Sequence, residues 1–374
     1  MTADALFDAA HPVDDRYAPP ACGEVAAIAD VLADGRLSGG APILPVYEQA
    51  LAAWFGVRRA VAVNSGTSAL HATLASLGVH GGDEVLVPAT APIATAMPIL
   101  TCGAVPVIVD TAPGSLALDA SDVAARLSPK TKAALTLPLW GYPADDTAAA
   151  TVLGAAGVPI VEDACQAHGT KVRGRYAGTQ YQAGCFSTHD RKLLATGEGG
   201  FVLTDDEELA ERIDYYTRLG HLKGQVHGVN YKLAGPLAAI GLRRLGGLAG
   251  QLTARRAHAA RLLDALPEEG ALSELAYGQQ DAPNYYNLVL AAATRSAESA
   301  AAGFAAAGLP PDSIRFGYRP LYAQPIFARY AATCPNAEAL CATTIQLPVH
   351  PGMSETALGW AADRIRAFAE RQRP

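Results

Sequence analysis

The sequence predicts an α/β fold in which helices cover both faces of a mostly parallel central sheet, followed by a smaller C-terminal α+β domain. Two observations favour this class. Apolar runs of four to six residues are each followed by a helical pattern, which is typical of parallel strands buried on both faces. From about residue 246 the pattern changes to a long amphipathic helix and short strands.

The stretch from Val85 to Val109 has no charged residue over 25 positions and is long enough to cross a bilayer. Proline and glycine residues, among them Pro88 and Gly103, divide it into shorter pieces. We therefore interpret it as a buried βαβ unit and expect no membrane span.

The order of strand, turn and helix recurs through the first part of the chain. It is clearest over residues 60–78, 147–164 and 199–216. In sheets of this kind ligands bind outside the carboxyl ends of the strands, so the loops that follow strands are where chemistry is expected.

We place a domain boundary near residue 245. The large domain then covers residues 1–245, with roughly the first 20 residues forming an arm, and the small domain covers 246–374. The segment "LAGQLTARRAHAARLLDAL" predicts the long helix that opens the small domain, which continues with a helix near 296–307 and ends with another.

Composition limits the function. The formal net charge of −7 argues against a general nucleic-acid binder, which needs a basic face. Six cysteines are scattered without CxxC or zinc spacing, so no metal site is expected. The N-terminus lacks the basic start and apolar core of a signal peptide. We therefore expect a cytoplasmic protein with reduced, mostly buried cysteines and no nucleic-acid or membrane partner.

The loop "NSGTSAL" follows an apolar strand and opens a helix. Gly66 allows close backbone approach, and Thr67 and Ser68 offer hydroxyls and N–H groups at the positive end of the helix, which suits a phosphate. The same residues also fit an ordinary helix cap.

The loop "VPIVEDACQAHG" carries two adjacent carboxylates at the end of a strand. Glu162 and Asp163 face opposite sides by the two-residue period. A buried carboxylate is costly unless it meets a cation or donors, so Asp163 could pair with a protonated ring nitrogen or cap the next helix.

The stretch "CFSTHDRKLLATGEGG" places Lys192 between an apolar strand and a glycine-rich turn. A buried lysine loses charge by desolvation, and its amine then becomes nucleophilic enough for a Schiff base. Ser187, five residues earlier, could add a phosphate contact. A solvated surface lysine is the alternative.

A phosphate loop, an aspartate and a lysine, in that order, together indicate pyridoxal phosphate. This cofactor needs a phosphate cradle, an acid that keeps its pyridine nitrogen protonated, and a lysine for its aldehyde. The three in combination are much more specific than any one of them.

The chain resembles the DegT/DnrJ/EryC1/StrS family of pyridoxal-phosphate-dependent sugar aminotransferases over nearly its whole length. The matching stretches are "NSGTSALHATLASLGVHGGDEVLVPA", "IVEDACQAHGTKVRGRYAG", "CFSTHDRKLLATGEGGFVLTDDEELAERI" and "GVNYKLAGPLAAIGLRRL". The resemblance implies the fold-type-I pyridoxal-phosphate-dependent transferase fold.

The resemblance also implies roles for individual residues. Lys192 forms the Schiff base and carries the proton, and Asp163 partners the pyridinium nitrogen. Asn230 reaches the phosphate of the neighbouring subunit, which implies a homodimer with shared active sites. The further cofactor contacts implied are Gly66, Thr67, Ser68, Gln166 and Ser187.

Three positions depart from the family pattern. Thr90 stands where we expect an aromatic residue that stacks on the cofactor ring, which puts the stacking in doubt. Lys232, in "NYK", stands for an arginine. In "THDRK" the charged residues Asp190 and Arg191 directly precede the lysine, where the family often has an aromatic and a small residue. An anion contact and a surface position are both open for Arg191.

The resulting hypothesis is transfer of an amino group from glutamate or glutamine to a keto-sugar in amino-sugar or antibiotic biosynthesis. A cyclitol aminotransferase is the first alternative. A dehydratase, which by the resemblance would carry histidine in place of Lys192, and a regulator that binds the cofactor without turnover remain further alternatives.

The segment "RLGHLKGQVHGVNYK" contains five basic or histidine residues and no acidic one. It predicts either a solvated basic loop or an anion site near the partner's active site, and the second favours a nucleotide-activated keto-sugar over an inosose. The candidate substrate-binding residues are His189, Arg191, Lys223, Lys232 and Arg319.

Overall fold

A computed structural model describes most of the chain. The described residues are 23–267, 272–292, 297–309, 311 and 317–370. The N-terminal segment expected to form an arm, and Cys22 after it, lie outside them.

Eleven α-helices occur in the described residues: α1 Glu24–Asp34, α2 Ile43–Phe55, α3 Gly66–Ser76, α4 Ile93–Thr101, α5 Ala120–Arg126, α6 Thr147–Ala155, α7 Glu207–Thr217, α8 Gly235–Leu263, α9 Ala297–Ala306, α10 Pro335–Thr343 and α11 Glu355–Glu370. Short 3₁₀ helices cover Leu139–Gly141, Leu219–Leu222, Leu321–Ala323 and Pro325–Tyr330. The described strands are β1 Arg59–Val63, β2 Glu84–Pro88, β3 Val105–Val109, β4 Thr131–Thr136, β5 Ile160–Asp163, β6 Lys171–Val172, β7 Arg175–Tyr176, β8 Ala183–Ser187, β9 Gly200–Thr204, β10 Leu272–Glu274, β11 Leu288–Ala292 and β12 Thr344–Leu347.

The central sheet has seven strands in the order β1-β9-β8-β5-β4-β2-β3. Strand β9 runs antiparallel to both of its neighbours, and the other four pairings are parallel. The prediction of a mostly parallel sheet is therefore confirmed, as is the βαβ unit, since β2 and β3 pair in parallel on either side of α4 along the chain.

Alternate residues of the strands enter different hydrophobic clusters. In β1, Val61 and Val63 join one cluster with α3, α4 and α7, whereas Ala60 and Ala62 join a second with α2 and α8. Because successive side chains point to opposite faces, this division shows helices covering both faces of the sheet. A third cluster, with α5 and α6, includes Leu86 of β2.

The described residues after α8 contribute the strands of an antiparallel sheet in the order β10-β11-β12. Helix α8 runs without interruption through residue 245, so the expected boundary falls within a helix. We keep a division near this residue as a proposal. Lys171 and Ala282 exchange two backbone hydrogen bonds, at 2.8 and 2.9 Å, which tie the chain before β11 to β6.

Within the described ranges, none of the helices combines the length and apolar character needed to cross a bilayer. All five cysteines described there are free. Cys185 and Cys334 are buried, and Cys102, Cys165 and Cys341 are half-buried.

Candidate active site

The loop after β1 is shaped by a serine that caps α3. The Oγ atom of Ser65 accepts the backbone N–H of Ser68 at 3.0 Å, and its hydroxyl donates to Ser68 Oγ at 2.8 Å. Ser65 thus fills the cap position, which the sequence pattern did not single out. Gly66 opens the helix, and Thr67 is exposed beside this end.

Gly66 is the point at which three loops meet. A Cβ atom there would lie 2.6 Å from Cys165 Sγ and 2.7 Å from Ser187 Cβ, which is closer than side-chain atoms approach. The absence of a side chain therefore lets the start of α3 touch both the loop after β5 and the end of β8. The sequence expectation that these loops share one edge of the sheet agrees with this contact.

The glycine-rich turn after Lys192 has a related role. Gly200 begins β9, and a Cβ atom there would lie 2.7 Å from the backbone nitrogen of Gly66 and 2.6 Å from the carbonyl carbon of Ser65. The chain after Lys192 can therefore return along β8 only if this position is glycine.

Asp163 lies at the end of β5 and is 3% exposed. It accepts the hydroxyl of Thr95 from α4 on Oδ2, and the backbone N–H of Cys165 at 3.1 Å on Oδ1. Thr95 is 68 residues away along the chain, and the sequence analysis did not identify it.

Glu162, the neighbour of Asp163, faces other partners. Its two carboxylate oxygens accept the backbone N–H groups of Gly178 at 2.9 Å and Gln180 at 3.0 Å. Burial raises the pKa of Glu162 to about 7. The expected division of the two carboxylates between opposite sides agrees with these separate partners.

Lys192 is half-buried rather than buried. Its backbone N–H donates to the carbonyl of His189 at 2.8 Å, and its Nζ atom lies 4.9 Å from the centroid of the Tyr286 ring. Tyr286 belongs to the second part of the chain and carries no motif, so sequence inspection missed it.

The Cys165 thiol is influenced by the charges of both Asp163 and Lys192, and the His168 ring by the charge of Lys192. Burial raises the pKa of the Cys165 thiol well above its usual range; the Asp163 charge raises it further, and the Lys192 charge opposes the rise. Burial, and then the Lys192 charge, lower the pKa of His168 to about 3. His168 is therefore a neutral ring at ordinary pH, packed edge-on against Phe186 with 5.1 Å between ring centroids.

A cleft of about 380 Å³ opens between the loop after β2 and residues 317–324. Its lining includes Thr90, Gln166, Arg191, Tyr286, Tyr318 and Arg319. Three of the five candidate substrate-binding residues, His189, Lys223 and Lys232, are not part of this lining, whereas Arg191 and Arg319 are.

Gln166 and Thr90, two of the candidate cofactor-binding residues, line this cleft. Gln166 Oε1 accepts the backbone N–H of Trp140 at 2.7 Å, and Trp140 packs edge-on against Tyr318 with 5.1 Å between ring centroids. Thr90, on the same lining, is 5% exposed.

Asn230 and Lys232 lie beside the loop after β1. The backbone N–H of Asn64 donates to the carbonyl of Tyr231 at 2.8 Å, and Lys232 forms a β-bridge with Val63. The Asn230 side chain is exposed at this edge.

Three basic side chains of the segment 218–232 have partners outside it. Arg218 forms ion pairs with Asp214 and with Glu48, and His221 Nε2 lies 2.9 Å from Asp214. Lys223 Nζ donates to the Tyr215 hydroxyl at 2.9 Å. The segment contains no acid, but its fold supplies acids from α2 and α7, which weakens its case as an anion site.

His189, one of the candidate substrate-binding residues, is exposed. Its Nε2 atom lies 3.9 Å from a carboxylate oxygen of Glu198, and its Nδ1 atom accepts the backbone N–H of Arg191 at 3.4 Å.

The residues gathered here fit pyridoxal phosphate by their chemistry. The side-chain-free start of α3 and the hydroxyls of Thr67 and Ser187 suit a phosphate. Asp163 supplies a buried carboxylate and Lys192 an amine. Among the residues that the structure describes, no group of three or more histidine, cysteine or acidic side chains could hold a metal ion.

The model of the DegT/DnrJ/EryC1/StrS aminotransferase family matches residues 22–365. GDP-perosamine synthase of Caulobacter vibrioides is 37% identical over 56% of this chain and 58% of that protein, so the alignment spans little more than half of that relative. L-glutamine:2-deoxy-scyllo-inosose aminotransferase of Streptomyces paromomycinus is 34% identical over 72% of this chain and 70% of that protein. The dTDP-3-amino-3,4,6-trideoxy-alpha-D-glucose transaminase of Streptomyces venezuelae is 33% identical over 92% of each chain.

Among solved structures, that of S. venezuelae DesV in complex with a ketimine intermediate superposes with a TM-score of 0.85. It is 32% identical and covers 93% of this chain and 94% of that chain.

Proposed function

Since the chain belongs to the DegT/DnrJ/EryC1/StrS aminotransferase family, we propose that it transfers an amino group from glutamate or glutamine to a nucleotide-activated keto-sugar. The observation that carries this proposal is the meeting of the α3 N-terminus, the loop of Asp163 and the end of β8 at Gly66, with Lys192 beside them.

Family membership confirms the resemblance drawn from the motifs. The fold is that of the fold-type-I transferases, the protein is a pyridoxal-phosphate-dependent aminotransferase, and its substrates are a small-molecule amino donor and a sugar acceptor. The dehydratase and regulator alternatives have no support among these relatives.

Pyridoxal phosphate, when bound, supplies an aldehyde that takes up nitrogen and a ring that withdraws electrons from the reacting carbon. The N–H groups at the start of α3, with Thr67 and Ser187, bind the phosphate and set the position of the ring. Asp163 holds a proton on the pyridine nitrogen, because its buried carboxylate is fixed by Thr95 and by the N–H of Cys165.

Lys192 carries the proton in both halves of the reaction. With the cofactor bound, its Nζ atom would pass a proton from the α-carbon of the donor to C4′ of the cofactor in the first half, and from C4′ to the carbon of the acceptor in the second. A single flexible amine suits both tasks, since it acts first as a base and then as an acid.

A cyclitol ketone is the second candidate acceptor. The aminotransferase of Streptomyces paromomycinus named above takes 2-deoxy-scyllo-inosose according to its name, and it aligns with most of this chain. The nucleotide-sugar proposal draws on the transaminase of Streptomyces venezuelae, which aligns over nearly the full length.

We also propose a homodimer with shared active sites, in which Asn230 serves the partner. The exposed position of Asn230 beside the phosphate loop supports this arrangement. Light scattering should give a dimer mass, and a fully active monomer would contradict the proposal. A cytoplasmic location likewise remains a proposal.

The test loads the enzyme with nitrogen from glutamate or glutamine, removes the donor, and offers nucleotide-linked keto-sugars and inososes. Return of the pyridoxal absorbance and a product mass with one added amino group identify the acceptor. Lys192→Ala should abolish both half-reactions, and borohydride should link the cofactor to the peptide that contains Lys192. Lys130→Ala, at an exposed position before β4, is the matched control and should behave like the wild type.

A further inference from the structure

Asn284 is a fully buried amide that joins two segments of the chain at the cleft. Its side chain is 0% exposed and contacts both the loop after β5 and the chain that leads into β11. Its Nδ2 atom donates to the backbone carbonyls of Gln166 at 2.9 Å and His168 at 3.1 Å. Its Oδ1 atom accepts the backbone N–H of Tyr286 at 2.7 Å. The side chain therefore fixes Tyr286 relative to the loop that follows Asp163 and carries Gln166.

The turn at Trp140 and Gly141 is shaped around the same amide. The backbone carbonyl of Gly141 accepts the N–H of Asn284 at 3.1 Å. A Cβ atom on Gly141 would lie 1.8 Å from Asn284 Oδ1, so only glycine at this position leaves room for the amide. The backbone N–H of Trp140 is the one that holds Gln166 Oε1. One turn therefore supports both the Asn284 amide and the Gln166 side chain.

The backbone is strained next to Asn284. Trp140 has a φ of 57° and Tyr285 a φ of 54°, in the left-handed region that bulky residues rarely adopt. Such conformations persist only where the surrounding structure holds them, and they cluster at active sites. Tyr285 joins Asn284 to Tyr286, so its conformation sets the direction in which the chain presents Tyr286.

The position of Tyr286 matters because its ring contacts the amine of Lys192. Lys192 Nζ lies 4.9 Å from the ring centroid, and Tyr286 lines the cleft of about 380 Å³ together with Gln166. A lysine has a flexible four-carbon stem, and a protonated amine is attracted to the face of an aromatic ring within about 6 Å of its centroid. The ring therefore restricts where the amine lies when it carries the proton.

We propose that Asn284 is a positioning residue that acts through Tyr286. By tying Tyr286 to the loop of Gln166, it places the aromatic face against which the Lys192 amine rests. Asn284 is not part of the cleft lining, so its effect on the reaction passes through the residues that it holds. This inference rests on the proposed role of Lys192 as the proton carrier, and not on which ketone accepts the nitrogen.

The test follows hydrogen exchange and the donor half-reaction in the cofactor-loaded protein. Asn284→Ala removes both the donors and the acceptor. Asn284→Ser, whose shorter side chain cannot span the two segments, serves if the alanine variant does not fold. Asn336→Ala is the matched control, since Asn336 Nδ2 likewise donates to a backbone carbonyl, that of Thr111 at 2.8 Å, and Asn336 does not line the cleft.

We expect the backbone hydrogens of the peptide that contains Tyr286 to exchange about tenfold faster in Asn284→Ala, while a peptide within β4 exchanges as in the wild type. The single-turnover rate with glutamate or glutamine should fall about tenfold to a hundredfold, because misplacing a reacting group by about 1 Å can cost about a hundredfold. Asn336→Ala should match the wild type in both measurements.

A double-mutant cycle separates positioning from a general loss of stability. Tyr286→Leu removes the ring, so adding Asn284→Ala to it should slow the donor half-reaction by less than about twofold further, since the residue through which Asn284 acts is already changed. A purely structural role would give the same loss of rate with and without the ring.

Three results overturn the proposal. Unchanged hydrogen exchange at Tyr286 in a folded Asn284 variant shows that the amide does not hold this residue. An equal loss of rate in the wild-type and Tyr286→Leu backgrounds, or a comparable loss in Asn336→Ala, shows an effect that does not pass through the ring. Hydrogen exchange needs no turnover and the donor half-reaction involves no ketone, so failure of the acceptor assignment leaves these measurements unaffected.

Discussion

Glu162 and Asp163 are adjacent carboxylates at the end of β5, and each is 3% exposed. Their hydrogen-bond partners nevertheless come from different regions of the chain. Glu162 is held by two backbone N–H groups of the chain that leads into β8. Asp163 is held by the hydroxyl of Thr95 and one N–H, next to Gly66 and Lys192. The two-residue period of a strand places one carboxylate on each side of the sheet.

The difference shows that burial alone does not identify a functional acid. Two backbone donors fix a loop, so Glu162 stabilises the turn at residues 178–180. A side-chain donor reaching Asp163 from α4 positions a charge for a ligand. The type and origin of the hydrogen-bond partners therefore distinguish the structural acid from the candidate catalytic one.

The largest expected effect separates these two roles directly. Asp163→Asn should lower turnover by about two to four powers of ten, because breaking one side of a buried ion pair costs about 3–5 kcal/mol. Glu162→Gln should leave turnover within a few-fold of the wild type. Its amide would face one of the two backbone N–H groups and leave it unpaired, which lowers the free energy of unfolding by about 1–3 kcal/mol. Steady-state kinetics and urea unfolding measure the two effects.

Near-normal turnover of Asp163→Asn would show that another group keeps the ring nitrogen protonated. A large loss of turnover in Glu162→Gln, without a loss of stability, would contradict the division of roles between the two carboxylates.

The second prediction concerns the pH dependence of stability on the Glu162 side of the sheet. Burial raises the pKa of Glu162 and of Asp146 to about 7. Between about pH 4 and 7 the folded protein therefore binds more protons than the unfolded chain, and these groups lower the free energy of unfolding as pH rises, by at most about 1.4 kcal/mol per pH unit each. His168, with its pKa lowered to about 3, acts in the opposite direction.

A comparison with Glu162→Gln isolates one group from the others. The difference in unfolding free energy between wild type and Glu162→Gln should grow as pH falls from about 8 to about 5, because only the wild type gains a proton at this site. A difference independent of pH in urea titrations would show that Glu162 has an ordinary pKa in the folded protein.

The smallest expected effect lies on the Asp163 side. Thr95→Val keeps the volume but removes the hydroxyl that Asp163 accepts, so turnover should fall about tenfold, the value of one hydrogen bond to a charged group. Thr101→Val, at the exposed end of the same helix, is the matched control and should be neutral. Equal turnover of the two variants would mean that Asp163 needs no side-chain donor.

The sequence predicts best those features of the site that follow from the succession of neighbouring strands, turns and helices along the chain. Strand, turn and helix succession placed Gly66, Asp163, Ser187 and Lys192 at one sheet edge, because the carboxyl ends of parallel strands meet there. The direction of β9 was not foreseen, since an apolar run of five residues reads the same in either direction.

Contacts between distant parts of the chain were beyond the sequence analysis. Thr95 and Tyr286 reach the site from elements far from the residues they contact, and neither stands in a motif. The acids that pair with Arg218 come from α2 and α7, so the absence of acidic residues within the segment does not predict unpaired positive charge there. The assignments of individual residues to cofactor and substrate stay predictions.

The glycines at 66 and 200 have a consequence for laboratory evolution of this enzyme. Any side chain at Gly66 would collide with Cys165 and Ser187, and any side chain at Gly200 would collide with the Ser65–Gly66 peptide. We therefore expect almost no substitution at these two positions to be tolerated in a mutagenesis library. In the lining of the cleft, Arg319 is exposed and Tyr318 is half-buried, so we expect replacements at these two positions to be tolerated better. New acceptor preferences should therefore accumulate at residues 318 and 319, while the cofactor end stays unchanged through every round of selection.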